Sequence, residues 1–287
     1  MERLVIIGPG RLGLALGAAL EQVDPSISLC YHGRNTEPPG HPLFTEGRAE
    51  YRYGLELPPP GTTGVLLTVP DDVLREMAEA LAARGTPPAG TPVLHCSGAL
   101  GAEPLEALHH RGYRVGTLHP LQAIANPVTG ARRLLGASFA LSGEPEALAV
   151  ARRIVSTLGG RGIQVPTVRR PLYHAAAVMA SNYLVVLLRV AAGLLEEAGA
   201  GPEESEAAIL ALAQGALNNV ADYGLQGALT GPVSRGDADV VGLHLRTLGR
   251  DDAVLYAELG ERALEMSVHH LPQEVVAAMH ELFRKAK

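Results

Sequence analysis

The chain has 287 residues, 47% of them hydrophobic, with a mean hydropathy of +0.12, a formal charge of −6 and a pI near 6.0. That length can bury two modest cores, and two domains are expected. The acidic balance, the absence of Trp and the lack of any basic stripe with interleaved aromatics exclude an ordinary nucleic-acid binder.

From residue 1 to about 168, short β-rich runs alternate with helical ones. The predicted strands are Leu4–Ile7, Ile27–Tyr31, Val65–Val69, Val93–Cys96, Val115–Leu118, Ser138–Leu141 and Gly162–Val165, with helices over 11–22, 71–84, 102–110 and 145–158. That alternation predicts an α/β fold with a doubly wound parallel sheet. The Pro- and Gly-rich stretch 36–64 reads as irregular surface. After Pro166 the strands stop. Helices are predicted over 171–198, 202–224, 238–248, 251–266 and 272–285, which gives an α/β domain over 1–168 and an all-helical domain over 169–287.

The first strand starts within a few residues of Met1, and the first apolar run is too broken to cross a membrane, so a cytoplasmic protein is expected. The apolar helix around 175–195 carries His174, Ser181, Asn182 and Arg189 on or beside it, and is expected to be a buried interdomain helix. Cys30 and Cys96 stand far apart and suggest neither a disulfide framework nor a zinc site. No His/Asp/Glu cluster shows metal-ligand spacing. Lysine occurs only at Lys285 and Lys287, which removes it from any catalytic argument.

The first strand runs into Gly8-Pro9-Gly10-Arg11-Leu12-Gly13 and then into a helix. In that strand–turn–helix context the glycine pattern reads as a dinucleotide fingerprint. Gly8 permits the tight turn, Gly10 lets a pyrophosphate reach the backbone, and Gly13 lets the helix pack close to the sheet. The helix N-terminus supplies free N–H groups and a partial positive charge to the phosphates. The alternative is a structural turn without a ligand. At the end of the second strand stands Tyr31-His32-Gly33-Arg34-Asn35, with no acidic residue for a ribose 2′-hydroxyl. Arg34 there suits a 2′-phosphate, so NADP(H) is expected in preference to NAD, unless Arg34 is simply solvated. Further on, Val69-Pro70 lies at the carboxyl edge of the sheet as a wall of the same crevice, and Asp71 or Asp72 is expected to cap the following helix.

Ser97 and His119 follow the next two strands, at tips where open α/β sheets bind their ligands. A histidine there can donate or accept a proton near neutral pH, as hydride transfer to C=O or C=N requires; the alternative is a strand-capping His119 bonded to backbone. His95 and Cys96 are expected to face the core. In the helical half, His174 and Ser181 are seven residues apart and share a helix face, with Asn182 beside it. Either they line a substrate cleft, or His174 is a satisfied core histidine and Ser181 bonds back to its own helix. In Leu229-Thr230-Gly231-Pro232-Val233-Ser234-Arg235-Gly236-Asp237, Arg235 either holds a substrate carboxylate or pairs with Asp237.

Together the stretches GPGRLG, HCSGALGAEPLEAL, GTLHPLQAI, YHAAAVMASNYL and LTGPVSRGD, spanning residues 8 to 237, resemble a Rossmann-like family of unknown function. In that family an NADP-type domain carries a 6-phosphogluconate-dehydrogenase-like helical C-terminal domain. Ser97 and His119-Pro120 also resemble the Ser and His-Pro of prephenate dehydrogenases, where the pair serves catalysis. Hydroxyisobutyrate dehydrogenases and ketopantoate reductases use a Lys and an Asn four apart on the interdomain helix; here His174 stands roughly where the Lys would be, a departure from their pattern. Pyrroline-5-carboxylate reductases share the architecture and need less acid–base equipment.

The resemblance implies an NADPH-dependent oxidoreductase acting on a small carboxylate-bearing keto, hydroxy or imino compound, dimerising through its helical domain. In that reading His119, oriented by Ser97, or His174 supplies the proton. Asn182, Ser181, Thr230 and Arg235 orient the substrate, while Gly8, Gly10, Arg11, Leu12, Gly13, Arg34, Asn35, Val69, Pro70 and Ser97 hold the cofactor. The alternative from another class is a non-catalytic NADP-binding or redox-sensing protein.

Overall fold

The computed structural model describes residues 2–88 and 90–287. By contact the chain divides into two units, Met1–Ser181 and Asn182–Lys287.

The first unit is built on a single eight-stranded sheet. Its elements run in the order β1 (Arg3–Ile7), α1 (Arg11–Val23), β2 (Ser28–Gly33), α2 (Pro42–Thr45), β3 (Glu50–Tyr53), β4 (Gly64–Leu67), α3 (Leu74–Ala83), β5 (Pro92–His95), α4 (Glu106–His110), β6 (Arg114–Pro120), α5 (Pro127–Leu134), β7 (Ser138–Gly143), α6 (Pro145–Thr157), β8 (Arg161–Gln164) and α7 (Arg170–Val178). The strand order is β3-β2-β1-β4-β5-β6-β7-β8. The first six strands are parallel and follow the doubly wound nucleotide-binding order, which reverses between β1 and β4 and opens a crevice outside their carboxyl ends.

β1 shows why this sheet forms. All of Leu4, Val5, Ile6 and Ile7 are buried, and alternate side chains enter opposite layers. Leu4 and Ile6 pack with Leu16 of α1, Leu134 of α5 and Ile154 of α6. Val5 and Ile7 pack with Leu74 and Leu81 of α3 and Leu108 of α4. Such full burial stabilises each of these side chains by roughly 1.5–3 kcal/mol relative to exposure. Tyr31 of β2 donates from its hydroxyl to the Gly13 carbonyl at 3.0 Å, tying α1 to the sheet.

Three expectations are corrected. The sheet is not wholly parallel: β7 runs antiparallel to β6, with His119 opposite Ala140, and β8 is parallel to β7. The segment before β7 carries α5, whose first turn is capped by the Asn126 side chain on the N–H groups of Val128 and Thr129. The stretch 36–64 is not wholly irregular either: it holds α2 and the edge strand β3. β3 escapes the hydrophobic pattern because its Glu50, Tyr51, Arg52 and Tyr53 are all at least partly exposed.

The second unit holds α8 (Leu184–Glu197), α9 (Pro202–Gly227), α10 (Pro232–Arg235), α11 (Ala238–Thr247), α12 (Arg250–Ser267) and α13 (Gln273–Ala286). Val241, Ala257, Leu264, Met279 and Phe283 form its buried core, against which Tyr256 and Leu282 pack. A Cβ on Gly260 would meet the Phe283 ring at 2.5 Å, so only glycine lets α12 lie that close to α13. α9 packs against α8 and is otherwise exposed along its length. Its helical backbone breaks at Gly224, where φ is +72°. Third, the apolar helix expected to be buried is not. The segment Thr167–Glu197 is long and apolar enough to cross a membrane by length and composition, yet Leu172, Met179, Tyr183, Val185 and Val186 are exposed.

Candidate active site

At the carboxyl ends of β1, β2 and β4 lies a cavity of about 550 Å³ lined by Gly8, Pro9, Gly10, His32, Arg34, Asn35, Tyr51, Val69, Pro70 and Met77, among others. Its floor is made by close backbone approach. Gly8 sits at φ +104°, and a Cβ on it would come within 3.0 Å of the Thr68 carbonyl. Gly13 admits no side chain, because its Cβ would lie 2.4 Å from the Gly8 carbonyl and 2.5 Å from the Thr68 hydroxyl, which itself donates to the Gly8 carbonyl at 2.6 Å. A Cβ on Gly10, by contrast, would meet nothing within 4 Å and would project into open space. No side chain caps the first turn of α1, so its leading N–H groups remain available beside that open space. The residues present fit a dinucleotide: an uncapped helix N-terminus for phosphates, an open approach at Gly10, and Arg34 at the tip of β2.

The Arg34 loop is held by Tyr51 of β3. The Tyr51 hydroxyl donates to the Asn35 carbonyl at 2.5 Å, and a Cβ on Gly33 would collide with the Tyr51 ring. Thus Gly8, Gly10, Arg34, Asn35, Val69 and Pro70 of the expected cofactor set come together around one cavity. Arg11, Leu12 and Gly13 stand on α1 beside it, and Ser97 does not line it.

Beyond Pro70 lies a polar cluster at the tips of β4, β5 and β6. Ser97 does not orient His119 as expected. Its hydroxyl donates to the Asp71 carboxylate at 2.7 Å and accepts from the Leu100 N–H at 3.2 Å. Nor does Asp71 or Asp72 cap the next helix with its side chain; a short 3₁₀ turn, Asp71–Val73, begins after Pro70 and leads into α3, whose cap position is Val73. Asp71 is thereby free to receive Ser97. His95 is fully buried, as expected, and fixes this loop from below. Its Nδ1 accepts from the Ser97 N–H at 3.1 Å, so its Nε2 donates to the Gly101 carbonyl. Burial pushes the His95 pKa down to about 4.

His119, the penultimate residue of β6, meets Tyr173 of α7: its Nδ1 lies 2.7 Å from the phenol oxygen, with the rings edge to face. His174 stands beside them, its ring centroid 6.0 Å from that of His119. Both imidazoles converge on Gly98, where a Cβ would lie 2.5 Å from His174 Nδ1 and 2.8 Å from His119 Nε2. His174 Nδ1 is buried and has no hydrogen-bond partner among the described residues. Burial, reinforced by the Arg170 guanidinium and by His174, lowers the His119 pKa to about 4, although Asp71 pulls the other way. The imidazole is therefore neutral at pH 7. Burial raises the Tyr173 phenol to about 12, against the pull of Arg170.

Arg170 underlies the cluster. It is fully buried, and its guanidinium donates to Thr117 Oγ1 at 2.8 Å, to Ser142 Oγ at 3.3 Å and to the Ser97 carbonyl at 2.9 Å. No carboxylate pairs with it among the described residues, and its carbon lies 5.9 Å from the Tyr173 ring centre. Sequence reasoning passed over Arg170 and Tyr173. The available signal was their spacing of three at the start of a helix, which puts both on one face.

The remaining expected residues fall elsewhere. Ser181 donates to the Ala177 carbonyl at 2.7 Å, the back-bonding alternative. Asn182, Thr230 and Arg235 belong to the second unit, and there Arg235 pairs with Asp237 at 3.1 Å.

Models of known families match two parts of the chain: a Rossmann-like domain over residues 58–120, and a domain of unknown function, DUF2520, over residues 137–263. These two matches, side by side, are the combination its motifs resemble. Among solved structures it is similar to a protein of Thermotoga maritima, at 24% identity and a TM-score of 0.73 over 93% of this chain and 98% of that one. It is also similar to a protein of Bacteroides fragilis assigned as an NADP oxidoreductase, at 23% identity and a TM-score of 0.70 over 92% and 98%. A Plasmodium falciparum pyrroline carboxylate reductase with NADP bound shares the fold at 14% identity and a TM-score of 0.58 over 100% and 97%. No curated protein matches the chain.

Proposed function

We propose that the chain is an NADP-dependent oxidoreductase acting on a small carboxylate-bearing keto, hydroxy or imino compound, and that it works as a homodimer. The observation that carries this reading is the adjacency along one sheet edge of two sites. One is a crevice built for phosphates, with Arg34 in place of an acid at the tip of β2. The other is a cluster of neutral imidazole and phenol groups one strand tip further on. The structures of similar fold with NADP bound or an NADP oxidoreductase assignment support the choice of cofactor.

A bound NADPH supplies hydride at its nicotinamide ring. The chain's own residues do the rest. Gly8, Gly10 and the first turn of α1 hold the pyrophosphate, and Arg34 pairs with the 2′-phosphate. His119, neutral and half enclosed, hydrogen-bonds to the substrate atom that gains charge as it is reduced. A neutral imidazole polarises a carbonyl as an N–H donor without first being protonated. His174 and Gly98 shape the opposite wall, with no Cβ at 98 to obstruct it.

The test is the loss of NADPH absorbance, in parallel with NADH, against pooled 2-keto acids, β-keto acids and cyclic imines. Turnover of one pool with NADPH preferred supports the reading. Tight NADPH binding with no turnover of any pool replaces it with a dinucleotide-binding sensor.

A further inference from the structure

Among the described residues no carboxylate forms an ion pair with the Arg170 guanidinium, Glu103 acting on it only at longer range, and the polar groups nearest the reacting end of the site form a line from it. It is fully buried, bonded only to the neutral oxygens of Thr117, Ser142 and Ser97, and stands against the Tyr173 ring. Tyr173 meets His119 Nδ1 at 2.7 Å, and the far nitrogen of that ring, Nε2, faces the Gly98 backbone where both histidines converge. A buried cation without a carboxylate partner is costly, and a negative charge formed beside it offsets that cost. The group placed to carry such a charge is the Tyr173 phenol.

We propose that Arg170, Tyr173 and His119 form a proton relay: Tyr173 donates its hydroxyl hydrogen bond to His119 Nδ1, which locks the imidazole as the neutral Nε2–H tautomer, and that Nε2–H is the hydrogen delivered to the substrate. This inference rests on the oxidoreductase reading above. As the substrate's carbonyl or imine carbon is reduced, its oxygen or nitrogen forms a bond to the Nε2 hydrogen, and the N–H bond breaks toward the ring. Nδ1 takes the Tyr173 proton in the same step, so the ring passes from the Nε2–H to the Nδ1–H tautomer without becoming charged. The phenolate left behind lies in the field of the Arg170 guanidinium, whose carbon is 5.9 Å from the Tyr173 ring centre, until a solvent proton reaches Nε2 and the Nδ1 hydrogen returns to the phenolate, which restores the starting tautomer. No electrons are drawn from the protein, and no bond to it is made.

The charged and titratable groups around the ring agree with this assignment. Arg170 and His174 on α7 and His95 on β5 disfavour an imidazolium at 119, and Asp71, whose carboxylate is engaged by Ser97, favours one less strongly than Arg170 and His174 oppose it. Delivery from a neutral ring leaves the relay insensitive to pH across the neutral range, since its histidine titrates near 4 and its phenol near 12.

The experiment is histidine-selective ¹⁵N NMR of the full-length wild-type protein, with the His119→Asn variant assigning the signal. The expected result at pH 7 is a neutral ring protonated at Nε2 and bare at Nδ1, unchanged down to about pH 5. Tyr173→Phe is expected to release the ring into a mixture of the two neutral tautomers. On the substrate pool that turns over, Tyr173→Phe lowers kcat by ~10- to 100-fold with KM retained. An Nδ1–H tautomer or an imidazolium in the wild type overturns the relay, and so does a Tyr173→Phe ring unchanged from it. NADPH binding measured on the same samples keeps the two readings apart. A protein with the expected tautomer that binds no NADPH refutes the cofactor assignment instead.

Discussion

The Ser97 hydroxyl spends its hydrogen on the Asp71 carboxylate, 2.7 Å away, while His119 Nδ1 pairs with the Tyr173 phenol, also at 2.7 Å. Serine and histidine at neighbouring strand tips therefore serve different purposes. Ser97, with Leu100 N–H as its donor and His95 beneath it, clamps the loop that carries Gly98. Replacing Ser97 by Ala removes one charge-assisted bond and should lower stability by about 1–2 kcal/mol while leaving the His119 tautomer alone. Replacing His119 by Ala should lower turnover by ~100-fold or more with NADPH affinity nearly intact. Thermal unfolding and steady-state rates on the two variants check the division; equal losses of turnover would return Ser97 to the catalytic pair.

Arg34 sits at the tip of β2, in a loop whose geometry Tyr51 fixes through the Asn35 carbonyl. If Arg34 holds the 2′-phosphate, Arg34→Ala should weaken NADPH binding by about 10- to 100-fold, the equivalent of one charge-assisted contact of roughly 1.5–3 kcal/mol. NADH binding should not change. Isothermal titration with both dinucleotides decides it, and a loss shared equally by the two would mean that the arginine merely supports the loop.

The strand–helix order, the glycine turn and the polar strand tips were legible because each is local, written in apolar runs and a fixed spacing. What was not legible depends on pairing. β3 is a charged edge strand without a hydrophobic signature, and the antiparallel direction of β7 depends on where its partner lies, not on its own residues. The same holds within the site. Ser97, His119 and His174 were visible as residues, yet Asp71 and Tyr173 became their partners only through folding. Arg170, a surface residue by type, was hidden because its partners lie 28, 53 and 73 positions away.

Gly98 is a sensitive probe of the converging histidines. A Cβ there would press to 2.5 Å from His174 Nδ1 and 2.8 Å from His119 Nε2. Gly98→Ala should displace one ring, lowering turnover by ~10-fold or more while the fold, anchored by His95 and Arg170, persists. A crystal structure or the His119 ¹⁵N signal of the variant would show which ring moves; full activity would place the reacting centre elsewhere. Gly13→Ala differs in kind. Its contacts are backbone and the Thr68 hydroxyl, so it should lose both dinucleotide affinity and thermal stability.

Stability should fall in acid because of His95 and His119. Both are held near pKa 4, mainly by burial, against about 6.5 in the unfolded chain. Between those values the unfolded state binds more protons, so stability is fully present above about pH 6.5 and is lost as the pH falls toward 4. For the fully buried His95 the loss approaches roughly 3 kcal/mol. Urea unfolding at pH 7 and pH 4.5 on wild type and His95→Gln measures it. The variant should lose less on acidification; the same loss in both would assign the acid sensitivity to carboxylates.

The last prediction concerns α9. Along its 26 residues Leu210, Leu212, Leu217, Tyr223 and Leu225 are exposed, with Leu212 at 72% and Leu225 at 75%. Five exposed large apolar side chains on one helix exceed the singly scattered apolar residues of an ordinary surface, and such a concentration marks an interaction surface. A second copy of the chain is the occupant proposed here. Up to the break at Gly224 the helix spans about 33 Å, enough to supply part of the roughly 800 Å² per partner of a standard interface. The protein should run as a dimer by light scattering at micromolar concentration. Leu212→Glu with Leu225→Glu should shift it toward monomer, because two carboxylates would be desolvated in the interface. A monomeric wild type that binds vesicles instead would assign the surface to a membrane, and a monomeric wild type that does not would refute the dimer outright.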